Sequence, residues 1–251
     1  MKIRVGSLLD FSTVDWFGHR MFMVFCGGCN FRCPFCDNSQ LIPADSGGEV
    51  DLEVVEERAV ANIGFLDAVG FTGGEPTLQP EPVKALCRWA KARGLKTFLN
   101  TNGSQPRLVD EMLRNDLLDY IAMDVKAPLN GKAYGRVAGL RGEADKVTAN
   151  IRETMELCAE AHVPVEFRTT IVPTLMDDEG LVREIAGTVR GRGIYVLQEF
   201  FPFEDILDER LRSVKPPERK LLIKLARAAL ETGVEEVYIR TRGSGMERIT
   251  L

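Results

Sequence analysis

Met21-Phe22-Met23-Val24-Phe25-Cys26-Gly27-Gly28-Cys29-Asn30-Phe31-Arg32-Cys33-Pro34-Phe35-Cys36-Asp37-Asn38 joins an apolar run to a cysteine-rich loop. Met21 to Phe25 is short, continuous and apolar, as a buried strand is. Cys29, Cys33 and Cys36 follow it at C-x3-C-x2-C spacing. Three clustered thiolates can hold three irons of a [4Fe-4S] cluster and leave the fourth iron free for another ligand. An open iron allows chemistry, whereas four protein ligands usually leave only electron transfer. Downstream, the strand-like Ala68-Val69-Gly70-Phe71-Thr72 runs into Gly73-Gly74-Glu75-Pro76. Those glycines permit positive φ and close backbone approach, and the carboxylate can accept from an ammonium group.

Outward from these stretches, strand and helix patterns alternate. Helices are predicted over Asp51–Ile63 (Val54, Val55 and Ala59 inward), Pro82–Arg93, Arg107–Asn115, Asp145–Ala161, Asp177–Arg190 and Pro216–Thr232. Strands are predicted over Lys96–Asn100, Tyr120–Val125, Val165–Val172, Ile194–Phe200 and a last short Glu236–Arg240. Core strands near residues 21, 68, 96, 120, 165 and 194 make six βα units, hence a parallel sheet with crossover helices. Six units fall short of a closed eight-stranded barrel, so the expected fold is α/β, an open, partial (β/α)6 TIM-like barrel. Residues 1–20 read as an N-terminal extension, 21–232 as the core domain, and 233–251 as a C-terminal strand and tail. Ligands of such folds sit at the carboxyl ends of the strands. There the sequence places Asn100-Thr101-Asn102-Gly103, Asp124 and Lys126, and Gln198 with Glu199; the fifth strand carries Arg168. Taken alone, Lys126 with Asp124 would be a strand-end salt bridge and Arg168 a barrel-interior ion pair; beside the cysteines both cations become cofactor ligands.

The 251 residues are 45% hydrophobic, enough for one substantial core. A net charge of −5 and the absence of a basic run argue against a nucleic-acid partner. No apolar stretch approaches the length of a membrane span, and no secretory signal is evident, so a cytoplasmic protein is expected. Cys26, Cys29, Cys33 and Cys36 could instead form a four-cysteine zinc site, although the gap between Cys29 and Cys33 is short for two zinc knuckles. Disulfides are a third reading, disfavoured by the reducing compartment. Cys26, Cys87 and Cys158 read as buried small hydrophobes.

The cysteine loop, with an aromatic residue before its last cysteine, and the Gly-Gly-Glu-Pro segment together resemble the radical S-adenosylmethionine (radical SAM) enzymes. Within them the chain resembles the glycyl-radical-enzyme activases, and most the activating proteins of anaerobic ribonucleotide reductase. That closer likeness is carried by Ser12-Thr13-Val14-Asp15-Trp16-Phe17-Gly18, the loop from Gly28 to Asn38, Met123-Asp124-Val125-Lys126-Ala127-Pro128 and Arg168-Thr169-Thr170-Ile171-Val172-Pro173. The resemblance implies that Cys29, Cys33 and Cys36 ligate a [4Fe-4S] cluster whose fourth iron is chelated by SAM. It implies SAM contacts from Phe35, Asn38, Gly73, Gly74, Glu75, Thr101, Lys126 and Arg168. It also implies reductive cleavage of SAM to a 5′-deoxyadenosyl radical, with the electron from flavodoxin or ferredoxin and the hydrogen taken from a glycine of a partner enzyme. Pyruvate formate-lyase-type activation, or another radical SAM substrate, is the alternative; a non-enzymatic iron–sulfur or zinc protein is the distant one.

Three departures from the resemblance stand out. Phe17 replaces a proline of the lead-in. Asn100 stands where pyruvate formate-lyase activases carry Asp, so a monovalent cation at Asn100, Thr101 and Asp124 would lack one carboxylate. Phe200 and Phe201 lie where a His is expected, and the two histidines, His19 and His162, read as surface or core residues. No cysteine follows Cys158, so one cluster is the expected complement.

Overall fold

Strand and helix largely alternate from residue 21 onward, and the computed structural model describes all 251 residues. The strands are β1 (Lys2–Ser12), β2 (Met21–Cys26), β3 (Gly48–Asp51), β4 (Ala68–Gly73), β5 (Lys96–Thr101), β6 (Tyr120–Asp124), β7 (Val165–Ile171), β8 (Ile194–Glu199), β9 (Val237–Thr241) and β10 (Gly245–Ile249). The helices are α1 (Leu52–Val60), α2 (Pro80–Lys91), α3 (Pro106–Arg114), α4 (Gly131–Val137), α5 (Ala144–Ala161), α6 (Glu179–Val189) and α7 (Arg219–Glu231). All strands form one sheet in the order β10-β9-β8-β7-β6-β5-β4-β2-β1-β3. From β2 to β9 the neighbours are parallel; β1, β3 and β10 add antiparallel margins. The outermost strands do not pair with each other, so the barrel is open and partial.

The sheet has seven parallel strands where the sequence pattern gives six, because β9 pairs with β8 in parallel from Tyr195↔Val237 to Gln198↔Arg240. The sequence pattern also lacks β1, β3, β10 and α4. Only Ile3, Val5 and Ser12 of β1 are buried, so no apolar run marks it. Val54, expected inward, is 51% exposed. The helix begins at Leu52, and Leu52, Val55 and Ala59 form its buried stripe, which turns Val54 to solvent.

The period-two alternation of strand side chains divides the molecule into two apolar regions. Phe22 and Val24, Val69 and Phe71, Leu99, Ile121 and Met123, Phe167, and Tyr195 and Leu197 belong to the main core, together with the buried helix residues. Their strand neighbours Met21, Met23, Ala68, Phe98 and Ala122 form a second, small cluster closed by Trp16 from the β1–β2 connection. Trp16 stacks on Tyr120 at 4.7 Å and on His19 at 3.9 Å between ring centroids. Such ring pairs add about 0.5–1.5 kcal/mol beyond area burial. The remaining concave surface of the sheet is polar, and the cavity lies along it.

Candidate active site

The cysteine loop leaves β2 through Gly27 and Gly28, and main-chain bonds fix its path. Gly28 has φ of +87°, and its N–H donates to the Leu41 carbonyl at 2.9 Å. Cys29 N–H donates to Ile42 at 3.1 Å, Arg32 N–H to Ala138 at 2.9 Å, and Cys36 N–H to the Cys33 carbonyl at 3.0 Å. Phe31 packs edge-on against Tyr134, so the loop is anchored in the core on one side and presents its thiols on the other.

Beside it, β4 ends at Gly73, which pairs with Cys26 and has φ of +108°. A Cβ on Gly73 would overlap the backbone of Cys26, and one on Gly74 would overlap the Gly28 carbonyl oxygen. Both glycines are therefore required by the contact between the two loops. Gly73→Ala is expected to cost about 2–4 kcal/mol, combining unfavourable φ with overpacking against backbone. Urea unfolding measures it; a loss under about 1 kcal/mol would mean that the loops separate easily.

Glu75 is buried, and its carboxylate turns inward. Oε1 accepts from Thr77 N–H (3.1 Å), Thr77 Oγ1 (2.6 Å) and Thr101 Oγ1 (2.8 Å), and Oε2 accepts from Asn102 N–H (2.7 Å). Burial pushes its pKa up, against the lowering effect of these donors. Thr101 also accepts from Gly103 N–H, so Glu75 and Thr101 lock the β4 and β5 ends together. Asn100 Nδ2 donates to Thr72 Oγ1, while its Oδ1 is buried without a partner.

Lys126 and Arg168 form the ion pairs that their positions allow without a ligand. Lys126 Nζ lies 3.1 Å from Asp124 Oδ2 and 5.8 Å from the centre of the Phe35 ring. Burial opposes its charge, but Asp124 and the other polar groups around it hold its pKa well above the ordinary lysine value. Arg168 donates through Nε to Glu166 Oε1 (2.6 Å) and through Nη2 to the Asp15 carbonyl (2.7 Å).

Cys29, Cys33 and Cys36, Phe35 and Asn38, Gly73 to Glu75, Thr101, Lys126 and Arg168 all line one cavity of about 850 Å³ on the concave face, as do Asn100 and Asp124. Phe200 and Phe201 line it where the resemblance expects a His. His19 stacks on Trp16, and His162 is an exposed residue at the end of α5. Cys26, Cys87 and Cys158 are buried in the main core. Burial pushes the Cys29 and Cys33 thiols up to about 12. A bound metal reverses that balance by stabilising the thiolate. No three His, Cys, Asp or Glu side chains gather closely enough to hold a single metal ion. The thiols of an iron–sulfur cluster stand farther apart, because each binds a different iron. The loop thus offers three thiols to the cavity, and the neighbouring strand ends offer close-approach glycines, two cations and an orphan amide oxygen. That donor set suits a cluster and a zwitterionic cofactor.

Several lining residues were not singled out from the sequence. Arg240 on β9 donates to Gln198 Oε1 (3.0 Å) and Glu166 Oε1 (2.7 Å). Arg242, Ser244 and Met246 come from the β9–β10 hairpin. Their signal is weak because each acts across a long sequence separation.

An open parallel barrel with a three-cysteine loop at its strand ends defines a class of cluster-dependent enzymes, and comparison with known proteins agrees. The radical SAM superfamily profile matches residues 23–185. A Methanocaldococcus jannaschii protein provisionally assigned as a glycyl-radical enzyme activating enzyme is 33% identical over 241 residues, covering 96% of this chain and 97% of its own. Pyruvate formate-lyase 1-activating enzyme of Escherichia coli is 28% identical over 235 residues, covering 87% and 92%. Among solved structures, a radical SAM methyltransferase from Sphaerobacter thermophilus superposes with a TM-score of 0.70 at 16% identity, over 90% of this chain and 67% of that one, which speaks for the fold. This chain belongs to the radical SAM superfamily and, within it, to the glycyl-radical-enzyme activating family. No helix is long and apolar enough to cross a membrane.

Proposed function

We propose that this enzyme installs a radical on a glycine of a partner enzyme of the pyruvate formate-lyase type, with Cys29, Cys33 and Cys36 as the cluster ligands. The observation that carries the reading is end-to-end similarity to activating enzymes, with all three cysteines on the wall of one open cavity. The motifs favour anaerobic ribonucleotide reductase as partner, whereas the relatives with a defined partner act on pyruvate formate-lyase; the latter likeness spans most of the chain and is preferred.

In this reading the three thiols hold the cluster, Gly73 and Gly74 let the cofactor approach the backbone, and Lys126 and Arg168 face its carboxylate and ribose. When bound and reduced by flavodoxin or ferredoxin, the cluster and SAM supply one-electron cleavage of the sulfonium and removal of a hydrogen atom from glycine. The chain's own part is orientation and exclusion of water. Glu75 and Thr101 set the β4 and β5 turns, Phe35 covers Lys126, and Glu166 aims Arg168. Glycine suits the reaction because no side chain blocks its Cα and both flanking amides delocalise the product radical.

The test is anaerobic reconstitution with iron and sulfide, then dithionite and SAM with either pyruvate formate-lyase or anaerobic ribonucleotide reductase. A glycyl radical signal on pyruvate formate-lyase is the expected result. A signal only on the reductase would move the partner, and 5′-deoxyadenosine with no radical on either would overturn the activase reading.

A further inference from the structure

Arg242 is the one lining cation that enters no ion pair. Lys126 is paired with Asp124, and Arg168 and Arg240 share Glu166. The Arg242 guanidinium instead lies 4.0 Å from the centre of the Phe201 ring and 5.2 Å from that of Phe203, and those rings are themselves 5.0 Å apart. Its main chain is fixed as well, the N–H donating to Glu199 Oε2 at 2.8 Å. The exposed side chain makes no hydrogen bond to the protein, so its planar set of donors is open to an incoming acceptor while its face rests on the two rings. It is an exposed residue lining the cavity, as are Val14, Phe17 and Phe203. An arginine stacked on two aromatic rings combines residue types enriched at protein-binding hot spots.

The geometry points to Arg242 as a specificity-determining residue that captures a carboxylate on the partner's glycine-bearing segment as that segment enters the cavity. This assignment rests on the activase reading. A carboxylate is favoured over a neutral group because a pre-stacked guanidinium forms charge-assisted, bidentate bonds at little further entropic cost. Val14, Phe17 and Phe203 would cover apolar residues of the same segment.

The probe is a set of fluorescein-labelled peptides with a central glycine flanked by alanine and serine. An Asp is placed in turn at each of the four positions on either side, with the matching Asn peptides as controls. Anisotropy with the reconstituted enzyme is expected to show at least one Asp peptide binding about tenfold tighter than its Asn counterpart. Arg242→Gln should erase that preference, and Arg242→Lys should keep part of it, since the charge remains without the fork. Equal binding of Asp and Asn peptides at every position, or a preference that survives in Arg242→Gln, would overturn the assignment. Glycyl radical formation with intact partner enzymes is scored separately. Its absence beside an Arg242-dependent Asp preference defeats the activase reading alone; its presence without such a preference defeats only the docking assignment.

Discussion

Cys33→Ala is expected to lose iron and to slow SAM cleavage by more than about a hundredfold, since even outer-shell changes at metal sites cost 10- to 100-fold. Cys33 is 6% exposed and sits where the loop turns between Cys29 and Cys36. Alanine removes one sulfur and leaves the main-chain bonds that shape the loop. The fold should therefore survive, with a melting temperature within a few degrees of the parent while iron content per chain falls. Cys26→Ala is the discriminating control. Cys26 ends β2 fully buried, and its carbonyl accepts from Gly74 N–H at 2.8 Å. It belongs to the core, so its replacement should cost stability and spare the iron. Equal loss of iron from Cys26→Ala and Cys33→Ala would instead favour a four-cysteine site and overturn the three-ligand assignment.

The parts of this site legible in the sequence are those where chemistry permits few residue types at fixed spacing. Cys29, Cys33 and Cys36 are close in the chain, as a single loop proposed to hold one cluster requires, and Gly73 and Gly74 are glycines because a Cβ would strike the neighbouring loop. The parallel core strands were legible because β2 and β4 are apolar almost throughout and the others keep an unbroken apolar face toward the helices. β1 was not, since it is covered only in part and reads as a mixed sequence. Nor was β9 as a seventh parallel strand: its five residues alternate, with Val237 and Ile239 buried in the core and Arg240 turned to the concave face beside Glu166 and Gln198. The carboxylate of Glu75 was read as an acceptor for the cofactor, and its oxygens are in fact bonded to Thr77, Thr101 and Asn102. A single sequence shows that a buried acid needs partners without showing which ones it finds.

The pairing least visible in the sequence carries the second large effect. Glu166→Gln is expected to destabilise the protein by about 3–5 kcal/mol, the cost of removing one partner from a buried ion pair. Glu166 is 1% exposed; its Oε1 accepts from Arg168 Nε at 2.6 Å and Arg240 Nη2 at 2.7 Å, and its Oε2 accepts from Tyr120 Oη at 3.0 Å. Glutamine keeps an acceptor but removes the charge between two guanidinium groups. Arg240 already has its pKa lowered, by burial first and by the neighbouring Arg168. Arg168 also holds the Asp15 carbonyl, which ties the β1–β2 connection to the concave face, so its displacement would reach the Trp16 cluster as well as the cavity. Removing one of the stranded charges should restore part of the loss. Arg240→Gln added to Glu166→Gln is therefore expected to be less destabilised than the sum of the two single variants. Urea midpoints for the four proteins of this cycle measure the coupling. A cost below about 1 kcal/mol for Glu166→Gln would mean that water or the Asp15 carbonyl carries Arg168 unaided, and Glu166 would no longer be the group that aims it.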